Sequence, residues 1–162
     1  MTVLGRYKFE PPVRGVALRV VMSVASVLAP LFVQVALTLG LLLWLAMIRQ
    51  GDFSSGAVQP SRIALREPNW PPRTQQVANC FSNQFELPVL FYVLTALALV
   101  TRQADLLFVV MAWMFVATRL VHAYIHTTNN VVIRRGLVFG VGALVLILMW
   151  LVFIVRILAA ST

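Results

Sequence analysis

Gly136–Val155 reads GLVFGVGALVLILMWLVFIV, twenty residues without a formal charge. A second uncharged run, Val20–Ile48, reads VVMSVASVLAPLFVQVALTLGLLLWLAMI. A hydrocarbon core of about 30 Å takes roughly 20 apolar helical residues, so either run is long enough to cross a bilayer. In a soluble protein, a helix apolar on every face leaves surface that water cannot solvate. The rest of the 162-residue chain has the same character: 60% of it is hydrophobic and 11% is charged, where a soluble domain carries about a quarter charged residues. Mean hydropathy is +0.89.

Working outward from these runs predicts an all-α, integral-membrane four-helix bundle, a single domain over residues 1–162, with helices at about 26–48, 75–100, 106–126 and 136–158. Residues 1–15 read as a polar tail. Residues 13–21, with Arg14 and Arg19, read as an interfacial segment or an extension of the first helix. The basic stretch Arg6–Arg14 could imitate a secretion signal, but the apolar run after it is too long for one. A loop from Arg49 to Arg73 is punctuated by Gly51, Gly56, Pro60, Pro68, Pro71 and Pro72. Thr74 is the expected N-cap of the second helix. Arg102 and Asp105 fall in a tight turn, and Asn129, Asn130, Arg134 and Arg135 in a short polar connection.

The formal net charge of +8 does not point to nucleic acid. The basic residues sit at segment ends, where they meet lipid headgroups, and do not interleave with aromatics on one surface. They divide almost evenly between the two membrane sides, so the positive-inside rule sets no orientation. The lone cysteine, Cys80, excludes an internal disulfide.

The expected chemistry lies in two polar stripes. Gln76, Asn79, Asn83 and Glu86 recur at spacings of three, four and three, an arc of about 80° on the second helix. Arg119, His122 and His126 recur at three and four on the third, an arc of about 60°. The two helices are antiparallel, so both stripes lie at one depth, toward the side where Arg73, Arg134 and Arg135 enter. A charge at membrane depth is costly unless it faces protein or water, so Glu86 and Arg119 are expected to face inward, possible partners for one another. The bland reading is a buried ion pair with Asn and His bridging helices; the functional one is a pocket for a polar or anionic ligand. His122 and His126 with Glu86 could also hold a metal, but Arg119 beside them repels a cation, and no metal is expected.

The run Asn79–Pro88, NCFSNQFELP, resembles the second-helix motif of the MAPEG family, membrane-associated proteins of eicosanoid and glutathione metabolism. The family pattern is Arg-x-x-x-Asn-x-x-Glu with a proline shortly after. Asn83 and Glu86 match it, Pro88 falls one residue early, and Asn79 stands where the arginine is expected. On the third helix, Arg119 matches Arg-x-x-Tyr-x-x-x-Tyr, with His122 and His126 at the tyrosine positions. Arg134 lies within a residue of the arginine that follows. The resemblance covers about residues 73–150 and is closest to a bacterial branch, which implies the bacterial inner membrane.

The resemblance implies a homotrimer among membrane lipids, with glutathione, as substrate or cosubstrate, held between neighbouring subunits. Arg73, Gln76, Asn79, Asn83, Glu86, Arg119, His122 and His126 would bind it, Asn83 and Glu86 taking the γ-glutamyl end. Arg134 or Arg135 would stabilise the thiolate catalytically. The implied reaction joins the thiol to a hydrophobic electrophile from the bilayer, or reduces a lipid peroxide. The alternative is a non-enzymatic membrane subunit of the same fold that binds lipid or a protein partner.

Overall fold

The computed structural model describes residues 22–63 and 69–160. The expected polar tail, and residues 13–21 with their interfacial reading, lie outside them. Five α-helices follow in order: α1 Val24–Ser54, α2 Pro72–Ser82, α3 Leu87–Val100, α4 Leu106–Thr127 and α5 Val132–Ala160. Short 3-10 turns cover Pro60–Arg62 and Asn83–Phe85. The second turn joins α2 to α3, so four helical units are long and apolar enough to cross a membrane: Val24–Ser54, Pro72–Val100, Leu106–Thr127 and Val132–Ala160. No strand occurs among the described residues.

The expected continuous helix over 75–100 is interrupted. Pro88 has no N–H to bond within a helix, and its ring would strike the carbonyl of Gln84. The chain tightens into the 3-10 turn, passes through Glu86 at φ −96° and ψ −104°, and restarts with Pro88 in the first turn of α3. Thr74 is not an N-cap either. Pro71 occupies that position with Pro72 beginning the helix, where a missing N–H costs nothing. The Thr74 hydroxyl instead reaches Asp52 Oδ2 at 2.5 Å.

That contact is possible because α1 runs six residues beyond the expected end, past Arg49 and Asp52 to Ser54. At the other side, α5 begins at Val132, so Arg134 and Arg135 lie in its first turn rather than in the connection. The α3–α4 turn is closed by Arg102 at φ 56°, with Gln103 N–H on Ala98 O at 2.8 Å and Arg102 N–H on Leu99 O at 3.1 Å. These are the paired bonds of a left-handed helix stop. Asp105 then caps α4 through Phe108 N–H at 3.0 Å and pairs with Arg156 near the end of α5 at 2.8 Å.

Helix α4 is the most buried span and packs on α5, α1 and α2. Apolar packing falls into two clusters. The larger joins Val27, Phe91, Leu94, Phe115, Val116 and Leu146; the smaller joins Leu41, Cys80 and Ala123. Along α4, Arg119 falls between them. The outward faces carry Leu43, Met47, Val110, Leu144 and Leu151, among many exposed apolar side chains. Water would not solvate such a surface, whereas hydrocarbon does.

Candidate functional site

A buried polar layer separates the two apolar clusters. Gln34 on α1 donates to Gln84 Oε1 at 3.0 Å, and Gln84 donates back to Cys80 O at 3.1 Å. Next to it, the fully buried Arg119 donates to the Asn83 side-chain oxygen. The Asn83 amide in turn donates to Glu86 Oε2 at 2.8 Å. Glu86 and Arg119 therefore do not form an ion pair; Asn83 bridges them. An amide can do this because it carries a donor and an acceptor together. Asn83 and Glu86 meet α4 at the depth of Arg119 and His122, while Gln76, two turns earlier, meets the carboxyl end of the same helix.

Asn83 and Glu86 line an open cavity of about 260 Å³ with His122 and His126 from α4 and Arg135, Gly136 and Phe139 from α5. The two imidazoles meet edge-on at 5.5 Å between centroids. They are not hydrogen-bonded to each other: His126 leaves both ring nitrogens, and His122 its Nδ1, without a partner among the described residues. Arg119 likewise leaves Nε and Nη1 open. Phe139 packs its ring 5.6 Å from the Arg119 guanidinium and 5.8 Å from His122, closing the wall behind the cavity. Arg135 is half-buried and donates to Asn130 Oδ1 at 2.7 Å. Asn130 holds a left-handed backbone at φ 49°, which asparagine tolerates better than most residues.

The other candidates lie apart from the cavity. Arg134 is exposed on the first turn of α5 and does not line it. Arg73 and Gln76 clamp the carboxyl end of α4: Arg73 donates to Thr127 O, and Gln76 donates to His126 O at 2.8 Å and Thr128 O at 3.1 Å. Those carbonyls have no partner within their own helix. Asn79 is exposed and accepts from Gln75 Nε2 at 2.7 Å. No group of three or more metal-ligating side chains occurs among the described residues.

The cavity thus gathers a carboxylate, an amide, two imidazoles and a guanidinium in an otherwise apolar bundle. It can hold a zwitterion, with a cationic group at Glu86 and an anionic group at Arg135. A family model described as the MAPEG family matches residues 27–155, most of the chain. The chain belongs to the MAPEG family. No curated protein and no solved structure matches it. MAPEG membership suggests a membrane glutathione-related function in general.

Sequence reasoning misses two parts of this arrangement. Phe139 and Gly136 carry no polar signal and sit in the uncharged run 136–155 of α5. Gln84 falls outside the stripe spacing, although Gln34 and Gln84 are both glutamines inside apolar runs, the one signal that could have paired them.

Proposed function

We propose that this MAPEG chain binds glutathione, or a thiol like it, in the cavity of Asn83, Glu86, His122, His126 and Arg135, and joins the thiol to a hydrophobic electrophile or uses it to reduce a lipid peroxide. The observation carrying this reading is the convergence of those five side chains from three membrane spans on one open cavity. Glutathione has two carboxylates and one amine. Glu86, oriented by Asn83, meets the amine of the γ-glutamyl end. Arg119 acts through Asn83, which it holds in place. Arg135 is the guanidinium at the cavity wall. A thiol with a pKa of roughly 8.5 ionises more readily beside such a cation, and the thiolate is the nucleophile.

The working form is a homotrimer. Gln75, Asn79 and Ser82 fall on one side of α2, within an arc of about 60°, and Asn79 and Ser82 are exposed on the single chain. Polar side chains at membrane depth are costly against lipid; a neighbouring copy covers them. A small-molecule site usually encloses about 300–1,000 Å³. The 260 Å³ on one chain falls just short, and a neighbour's wall completes it.

The test is glutathione titration of detergent-purified protein, followed by thiolate absorbance in the ultraviolet. The expected signal saturates, weakens in Glu86→Gln and vanishes in Arg135→Ala. A second reading, a non-enzymatic subunit that kept the fold, is favoured by Asn79 at the family's arginine position and by Arg119 being spent on Asn83. Silence at millimolar glutathione from a well-folded oligomer selects it.

A further inference from the structure

On the opposite side of α4 from α5, a groove opens between α1 and α4. Leu37, Leu41 and Trp44 form one wall, Leu120, Ala123 and Tyr124 the other, and the volume is about 310 Å³. Gly40 forms its floor, where an added Cβ would meet nothing within 4 Å. Helices α1 and α4 run toward the same membrane surface. The groove therefore extends over eight residues of each, from Leu37 to Trp44 and from Leu120 to Thr127, or roughly 10 Å. That is most of one leaflet's share, about 15 Å, of the hydrocarbon core. Its lining is apolar and its open side looks out of the bundle at membrane depth.

The groove ends in a cation. Thr127, its last residue on α4, accepts a hydrogen bond from Arg73 through its backbone carbonyl. Trp44, its last residue on α1, lies under the Arg73 guanidinium at 5.0 Å. Two independent contacts thus fix this exposed guanidinium at the groove's mouth. No carboxylate among the described residues pairs with it, and its hydrogen bonds to the described residues use only Nη1. An apolar trough covering most of a leaflet's depth, with an uncompensated guanidinium at its interfacial end, fits an acyl chain carrying a phosphate.

We propose that the α1–α4 groove is a binding site for an anionic phospholipid, its acyl chain against Gly40 and Trp44 and its phosphate on Arg73. The site is separate from the polar cavity and does not depend on glutathione. The test uses full-length protein in phosphatidylcholine nanodiscs containing a minor fraction of phosphatidylglycerol with a diazirine on one acyl chain. Cross-linked peptides are mapped by mass spectrometry, and retained lipids are counted by native mass spectrometry.

The wild-type protein is expected to label on α1 near Gly40 and α4 near Tyr124, and to retain phosphatidylglycerol over phosphatidylcholine about fivefold, the factor one interfacial cation contributes. Gly40→Leu fills the trough and is expected to remove the groove label. Arg73→Gln is expected to keep the label and lose the headgroup preference, and Arg73→Lys to restore much of that preference. Because Arg73 also clamps α4, the lysine variant separates loss of charge from loss of the clamp. Label elsewhere on the surface overturns the proposal, as does a preference unchanged in Arg73→Gln. Cross-links through Gly40→Cys between copies also overturn it, by showing that the groove is covered by a second chain.

Discussion

Asn83 joins two opposite charges by one amide, so its loss strands a guanidinium that is fully buried. A hydrogen bond to a charged group contributes about 1.5–3 kcal/mol. Asn83→Ala is therefore expected to lower unfolding stability in mixed micelles by about 2–3 kcal/mol, and an unchanged denaturation midpoint would remove Asn83 from this role. The two arginines of the first turn of α5 separate more sharply. Arg135 lines the cavity and Arg134 does not. Arg135→Ala is expected to reduce kcat/KM at least about 100-fold, the usual loss when one donor to a developing anion is removed. Arg134→Ala is expected to stay within about twofold, as surface substitutions do. Equal losses in both variants, measured on the same electrophile, would reject the assignment. Carboxylate, amide and imidazole at three- and four-residue spacing inside apolar helices made these residues candidates in the sequence, beside the plainer reading of polar bridges between helices. The choice between Arg134 and Arg135 was not legible there. It depends on where α5 begins, and the apolar Val131–Ile133 stretch hides that boundary.

At the scale of the helix, Arg102 and Gly142 mark where backbone geometry constrains sequence. Arg102 stops α3 in a left-handed conformation at φ 56°, which costs a non-glycine residue about 1 kcal/mol. Arg102→Gly is expected to raise thermal stability by up to about that amount; a fall would mean that the arginine side chain anchors the turn. On α5, a Cβ at Gly142 would lie 2.6 Å from Thr118 Oγ1, whereas one at Gly140 would meet nothing within 4 Å. The Thr118 hydroxyl is bonded to Phe115 O at 2.6 Å, so yielding means giving up that bond. Gly140→Ala is expected to be neutral or stabilising, by up to about 1 kcal/mol of helix propensity. Gly142→Ala is expected to cost about 1–3 kcal/mol through overpacking of α4 against α5. Thermal melts of the two variants side by side test the contrast. The apolar runs made all four spans readable, but the break at Glu86 was not, although Pro88 was in plain view. A regular 100° period kept all four polar residues on one arc. Gln76 does reach α4, but at its carboxyl end rather than at the cavity, and Asn79 is exposed.

Across the whole molecule, the division is between lipid-facing surfaces and the polar side of α2. Exposed apolar residues ring α1, α4 and α5, and their abundance made the membrane assignment legible from composition alone. Nothing in one sequence says how many copies cover Gln75, Asn79 and Ser82. The trimer predicts a mass of three chains in detergent by light scattering. It also predicts that Ser82→Cys forms disulfides between copies under mild oxidation; a monomeric mass with no cross-link would leave that polar face to lipid and sink the trimer. Cys80 gives these measurements an advantage. It is the only sulfhydryl in the chain, fully buried among Leu41 and Ala123, with Sγ against Ala123 O at 3.9 Å. A maleimide dye added to the folded protein has no target there. The wild-type protein is accordingly its own blank: in a mixture with glutathione every reactive sulfhydryl belongs to the small molecule, and a cysteine introduced anywhere on the surface reports without interference.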